Sequence, residues 1–331
     1  MMKATARRLI TGLAVAGCLG FAANATAQAV AYPEKPVRII VPFLAGGAVD
    51  VVARELAEGL SREFGQSVIV ENRAGAGGTI GADAVAKSAA DGYTLLFTAQ
   101  GPLVINPFLL DSLPYDAQQG FAPISIVLEA PNVMAVRPDS PLRTPADLIQ
   151  AGSAADARVT YGTQGLGTTG HITGAMIAHA TGINMEHVPY KGFGPVLTDV
   201  IGGRVDALIT DTFNVVPRAR SGELRAVAVA AAERSPALPD TPTFAEAGYP
   251  SIVAGPWFAL VAPADTPEEV QNTLARAVHQ VASSGSLAQR INDLGARSRT
   301  TPEAADAAAF VDSEYQRWGD AIRAGGVRPA N

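Results

Sequence analysis

The chain has 331 residues, with 31 acidic side chains against 25 basic ones, a formal net charge of −6 and one cysteine. A single cysteine excludes an intramolecular disulfide framework and a thiolate zinc site. The acidic balance argues against nucleic acid as a partner, and the length suits two domains of ordinary size.

The N-terminus reads as an export signal. Lys3, Arg7 and Arg8 form a positive segment, and the apolar run from Leu9 to Leu19 is too short to span a membrane. Ala25-Thr26-Ala27 and Ala27-Gln28-Ala29 offer cleavage sites, so residues 1–29 are expected to be a signal peptide. Val15-Ala16-Gly17-Cys18 also has the small-residue-then-Cys pattern of a lipoprotein signal, which leaves a lipid anchor at Cys18 open. Removing three basic residues and no acid takes the net charge from −6 to −9.

Apolar, β-branched runs then alternate with alanine-rich stretches. Strands are predicted over 37–41, 67–71, 93–98, 132–137, 158–161, 184–188, 207–210, 225–230 and 257–262. Helices are predicted over 49–64, 80–89, 145–154, 169–181, 194–201, 215–221, 267–283, 285–294 and 302–324. This alternation marks an α/β fold with largely parallel sheets. Thr144-Pro145, Thr266-Pro267 and Thr301-Pro302 each read as a hydroxyl cap before a proline at the first helical position. The last helix places Phe310, Val311, Tyr315, Trp318 and Ile322 at amphipathic spacing. Segments 133–138 and 258–263 look alike, each a strand ending in proline ahead of a Thr-Pro helix start. They suggest two crossovers between discontinuous domains, one of about 30–131 plus 255–331 and one of 132–254 inserted in it.

Three glycine-rich turns follow predicted strands and open predicted helices. They are Pro42-Phe43-Leu44-Ala45-Gly46-Gly47-Ala48-Val49-Asp50, Tyr161 through His171, and Pro189-Tyr190-Lys191-Gly192-Phe193-Gly194-Pro195. Such a turn presents unpaired amides at the positive end of a helix, an anion site that needs no charged side chain. Gly165-Leu166-Gly167-Thr168-Thr169-Gly170 also fits the dinucleotide fingerprint, but the next strand ends in Val188-Pro189-Tyr190-Lys191, without the ribose-binding acid. No cofactor is expected. Catalytic motifs are scarce, and His171 with His187 lacks the acids or thiols that would complete a metal site. His171 is expected just inside a helix opening, fixing the loop or touching ligand. Asp50 reads as a first-turn helix acid or a ligand-facing one, Lys191 as a ligand contact or a solvated turn residue, and Asp211 as a strand-end acid at a ligand site or a brace for loop amides.

The chain resembles the substrate-binding receptors of tripartite tricarboxylate transporters, the Bug family. The resemblance runs from Tyr32-Pro33-Glu34-Lys35-Pro36 almost to the C-terminus. It is carried by Pro42-Phe43 with Gly46-Gly47 and Asp50, by the segment from Val70 to Gly78, and by Asp91-Gly92-Tyr93-Thr94-Leu95-Leu96. Gly165 through His171, Val188 through Gly192, and the segment from Arg234 to Asp240 complete it, with Ala262-Pro263 and Thr266-Pro267. The resemblance implies a two-lobed periplasmic-binding-protein fold of the flytrap type with two crossover strands. The implied function is capture of a small organic carboxylate and its delivery to membrane permease subunits, without chemistry.

Carried across residue by residue, the ligand shell is Phe43, Gly47, Ala48 and Asp50 from one lobe, with Ala99 and Gln100 lining the cleft. Thr163, Gly165, Thr168, Thr169, His171 and Asp211 come from the other lobe, and Tyr190 and Lys191 border the opening. Val49 stands where many members have a hydroxyl, and Thr163 and Gln164 replace smaller residues, so Val49 and Gln164 are the expected places of this chain's own preference. Two other readings stay open: an exported enzyme using His171 and Asp211, and a receptor presenting ligand to a membrane kinase.

Overall fold

The computed structural model describes residues 32–154 and 157–324. All of these except Tyr32 fall in one compact unit, Pro33–Asn331. The expected signal peptide over residues 1–29, Cys18 included, lies outside the described residues.

β1 (Val37–Val41) is buried at all but one position, as a strand covered on both faces requires. α1 (Ala48–Phe64) follows, burying Val52, Leu56 and Leu60 at intervals of four, and stops at Gly65 in the left-handed conformation, φ 64°. β2 (Val68–Asn72), α2 (Thr79–Ala86) and β3 (Thr94–Ala99) continue the alternation, with β1 parallel to β2 and to β3. A π turn (Gly101–Ile105) and one helical turn, α3 (Asn106–Leu109), lead to β4 (Phe121–Glu129).

The chain then builds a second sheet from β5 (Asn132–Val136), β6 (Val159–Thr163), β7 (Met185–Pro189), β8 (Ala207–Asp211) and β9 (Arg225–Val229). Between its strands run α4 (Pro145–Gly152), α5 (Thr169–Thr181), α6 (Phe193–Ile201) and α7 (Thr212–Arg220). It returns through β10 (Trp257–Pro263) and closes with α8 (Glu268–Ser283), α9 (Gly285–Asp293), β11 (Arg297–Ser298) and α10 (Ala304–Ala324).

The sheet orders are β11-β4-β10-β3-β1-β2 and β7-β6-β8-β5-β9. The expectation of largely parallel sheets is corrected: both are mixed. β10 runs antiparallel to β3 and β4, and β5 antiparallel to β8 and β9. The reason is that β5 and β10 are the strands that receive the chain after each passage between the sheets, and each enters against the direction of its neighbours. The passages lie just ahead of segments 133–138 and 258–263, which fall largely in the sheet strands β5 and β10 themselves. The passages run side by side, with Ala130 N–H donating to Pro256 O and Asn132 N–H to Ala254 O, both at 2.8 Å. Ala254 N–H donates in turn to Ala230 O at 3.0 Å. Gly255 permits this approach, because a Cβ there would overlap the Ala130 carbonyl.

β4 is absent from the sequence-based expectation. Pro123 lies inside it, and the strand tolerates a missing donor because its pairing with β10 shifts register between Leu260 and Val261, beside Pro123. The caps also differ in part. Thr144 and Asp147 form a reciprocal capping box at α4. Thr266 instead donates its hydroxyl to Pro263 O, and α8 opens on Pro267 without a side-chain cap. At α10 the first amide, Ala304 N–H, is met by Asn272 of α8 rather than by Thr301.

One core cluster joins Ile40, Leu96, Trp257 and Val261 of the first sheet to Val311, Trp318 and Ile322 of α10, with Phe310 and Tyr315 packed on it. Ile172 of α5 is buried in the same cluster. The second sheet has a cluster on each face, one around Tyr161, Ile177 and Phe244 and one around Val196, Leu208 and Val216. The result is an α/β fold with two lobes.

Candidate functional site

The first turn joins β1 to α1. Gly46 takes φ 84°, a left-handed conformation that favours glycine. Gly47 is the N-cap and has no side chain to offer the helix. The first helical bond runs from Val51 N–H to Gly47 O, and among the described residues no acceptor meets the amides of Ala48 and Val49. Gly47 and Ala48 are exposed, while Val49 and Phe43 are half-buried.

Asp50 holds this turn from behind. Its carboxylate accepts from Gly46 N–H at 2.8 Å, Arg54 Nε at 3.0 Å and Asn72 Nδ2 at 2.8 Å. Asn72 Nδ2 donates also to Phe43 O. Burial alone would raise the Asp50 pKa, but the bonds from Arg54, Gly46 and Asn72 prevail and hold it at about 2. The carboxylate is thus engaged by donors of its own chain.

The second turn joins β6 to α5. Thr168 is the N-cap and accepts from His171 N–H, while among the described residues the amides of Thr169 and Gly170 have no acceptor. Two imidazoles shape this turn. His171 Nδ1 accepts from Gly167 N–H at 3.1 Å. His187 Nε2 lies 2.7 Å from Thr163 Oγ1, which in turn bonds Gly165 O at 3.0 Å. The two rings stack at 3.9 Å with 13° between planes, and Tyr161 stacks behind His187 at 5.0 Å. Desolvation lowers the pKa of His171; desolvation and then the neighbouring His171 lower that of His187 to about 4. Both rings are therefore neutral near pH 7. Thr163 is buried behind the turn, whereas Gln164, Gly165, Thr168, Thr169 and His171 remain partly accessible. Gln164 Nε2 donates to Thr210 at the end of β8.

The third turn opens α6, but its residues diverge. The Tyr190 hydroxyl donates to Asp199 of α6 at 2.8 Å, and Lys191 is exposed. Gly192 N–H donates to Gln164 O, which ties this turn to the second. At the end of β8, Asp211 caps α7 by accepting from Asn214 N–H and Nδ2. Desolvation raises its pKa to about 6, against the lowering effect of those bonds. At the end of β3, Ala99 is half-buried, and the Gln100 side chain bonds Trp257 N–H and Gly255 O on the second passage.

The first and second turns approach through intermediates. A Cβ on Gly167 would lie 2.6 Å from Leu109 of α3, whose neighbour Asn106 donates to Gly77 O, and Gly78 packs against Phe43. The arrangement offers main-chain donors from two helix starts, braced by Asp50 and by the histidine pair. Among the described residues, Arg54 is the basic side chain bonded at these turns, and it is committed to Asp50 and Asn72. No group of His, Cys, Asp and Glu that could hold a metal occurs among the described residues.

Sequence reasoning missed His187 as a brace and Asn132 as a contact of α5, since each looks like an ordinary strand residue. The alternation around His187 carried no motif, and Asn132 showed only as a polar residue opening a buried strand.

Comparison with known proteins gives the chain a family and a fold. Residues 52–327 match the model of the tripartite tricarboxylate transporter family receptor. The chain is 38% identical to the protein BugT of Bordetella pertussis over 329 residues, covering 99% of each. Among solved structures it is similar to an R. palustris protein solved with adipate, at TM-score 0.79 and 34% identity, covering 90% of this chain and all of that one. MatC of Rhodopseudomonas palustris, with bound malate, matches at TM-score 0.73 and 31% identity, covering 88% of this chain and all of that one. The periplasmic binding protein BugD matches at TM-score 0.75 and 34% identity, covering 90% of this chain and all of that one. The chain belongs to the tripartite tricarboxylate transporter receptor family, whose members are periplasmic substrate-binding proteins.

Proposed function

We propose that the protein captures a small organic carboxylate between its lobes and delivers it to the permease subunits of a tripartite tricarboxylate transporter. The observation that carries this reading is the pair of helix starts whose amides have no partner among the described residues, Ala48-Val49 at α1 and Thr169-Gly170 at α5. A carboxylate there receives charge-assisted bonds without desolvating a buried lysine or arginine. The lobes are taken as residues 30–131 plus 255–331 and residues 132–254. Phe43, Gly47, Val49, Ala99, Gln164, Gly165, Thr168 and His171 line the cleft around those amides. Asp50 and Thr163 shape it from behind, Asp211 borders it at α7, and Tyr190 and Lys191 flank its mouth.

No chemical step is proposed. His171 spends Nδ1 on Gly167, and Asp211 spends an oxygen on its helix cap, so neither is poised as a base beside a nucleophile. Export by cleavage of residues 1–29 places the protein in the periplasm. The relatives with adipate and malate suggest a dicarboxylate, and Val49 suits a ligand with an apolar segment. Thermal-shift and calorimetric titration with mono-, di- and tricarboxylates tests the reading. At least one acid is expected to raise the melting temperature while its neutral amide does not. A panel in which no acid shifts stability removes the basis of the proposal.

A further inference from the structure

We propose that Gln100 and Asn132 are positioning residues that couple occupancy of the cleft to rotation of the lobes, an inference that rests on the receptor reading. Both are buried, at 2% and 0% exposure. Their amide groups bond to the passages between lobes or to the helix that carries the second turn. Gln100 stands where β3 ends. Its main-chain oxygen accepts from Leu103 and Val104 of the π turn, fixing it to the first lobe. Its side-chain oxygen accepts from Trp257 N–H at 3.2 Å, and its Nε2 reaches Gly255 O at 3.5 Å. The amide thus lies along the second passage as a strand neighbour would.

Asn132 makes the complementary connection. Its backbone is part of the first passage, donating to Ala254 O at 2.8 Å and accepting from Ala230 N–H at 2.8 Å. Its side chain leaves the passage for α5. Nδ2 donates to Thr173 Oγ1 at 2.7 Å, and Oδ1 accepts from Thr169 Oγ1 at 3.4 Å. Thr173 in turn donates to Thr169 O at 2.7 Å. The first turn of α5, which supplies the open amides of Thr169 and Gly170, therefore hangs on Asn132.

Both connections end on the same four residues, Ala254 to Trp257. Gln100 fixes Gly255 and Trp257 to the first lobe while Asn132 stands beside Ala254 in the second, so rotation of one lobe against the other is taken up between Ala254 and Gly255. Removing either side-chain amide would leave buried polar groups without partners, which is costly in a dry interior. Ligand drawn toward the α5 start thus pulls on Asn132 and, through Ala254, on the segment that Gln100 holds from the other side. Phe213 of α7, stacked on Phe258 of β10 at 5.6 Å, gives the rotation a packed surface beside the passage.

The test compares the parent with Gln100→Met and Asn132→Ala, using whichever acid of the carboxylate panel shifts the parent most. Solution scattering at saturation reads closure, calorimetry reads affinity, and circular dichroism confirms the fold. Each variant is expected to bind about tenfold more weakly and to contract by less than half as much as the parent. Contraction equal to the parent's at saturation overturns the proposal, whatever happens to melting temperature. Hydrogen exchange on the parent provides a check independent of the variants' folding: the acid should slow exchange at Ala130, Asn132, Ala254 and Trp257 together with the turn amides. Protection confined to the turns overturns the coupling while leaving the receptor reading intact. Absence of binding by every acid removes both.

Discussion

Replacing Asp50 with asparagine tests whether the first anion turn is held rigid from behind. The carboxylate is 3% exposed and accepts from Gly46, Arg54 and Asn72. Burial opposes ionisation, yet those donors hold the pKa at about 2 instead of 3.8. At ~1.4 kcal/mol per unit, the difference corresponds to about 2 kcal/mol favouring the folded, ionised form. A depressed carboxyl pKa contributes stability that is complete above the unfolded value and is lost as pH falls through the folded one. Asparagine also turns an amide donor toward Gly46 N–H or Arg54, so the expected loss at pH 7 is about 3 kcal/mol. Urea unfolding measures it. The gap between parent and variant should narrow by about 1 kcal/mol by pH 3, where the unfolded Asp50 is mostly protonated and the folded one is not. The turn, freed from its brace, should also bind acid at least tenfold more weakly. A stability difference below about 0.5 kcal/mol, or one independent of pH, would show that these bonds do not hold the turn.

Gly255→Ala puts a Cβ onto the Ala130 carbonyl and 2.8 Å from Asn132 N, so the passages must separate; a loss of about 1–3 kcal/mol is expected, and an unchanged melting temperature would count against the packing described. The His171–His187 pair is neutral when folded while unfolded histidine gains a proton near pH 6.5, so its contribution is full above pH 6.5 and declines toward about pH 4. His187→Gln should flatten the stability profile in that window, and an unaltered slope would show that the pair does not titrate as described. Glu314→Ala leaves the indole N–H groups of Trp257 and Trp318 and the Arg317 guanidinium without their shared acceptor, at a cost of about 3–5 kcal/mol. Those are the chain's two tryptophans, so the intrinsic emission should shift with the loss of stability, and an unshifted spectrum would contradict the burial.

The strand–helix alternation was legible because buried parallel strands and amphipathic helices write their periods directly into the sequence; β1 and α5 lie where the pattern puts them. β4 was not, since Pro123 disguises a strand whose irregular pairing absorbs the lost donor. Strand direction was hidden for a different reason: the antiparallel entry of β5 and β10 follows from how the chain returns between lobes, which no local pattern records. The glycine turns were visible, but the division of labour around them was not. Asp50, Thr163 and Gln100 carry polar groups that read as ligand contacts, and only the fold reveals that hydrogen-bond partners of the chain already engage them. His187 stood out in sequence only beside His171, as an incomplete metal pair; its bracing role was hidden because it depends on ring stacking against a residue sixteen positions away.

In the proposed receptor, main-chain donors from two helix starts hold the acid. Residue-resolved amide shifts during titration of the isotope-labelled protein with the tightest-binding carboxylate test it most directly. Ala48, Val49, Thr169 and Gly170 are expected to shift together, at one midpoint. Shifts that spare these four amides and gather instead around Arg297, Arg299 and Arg317, which line a cavity of about 280 Å³ beside the passages, would contradict it.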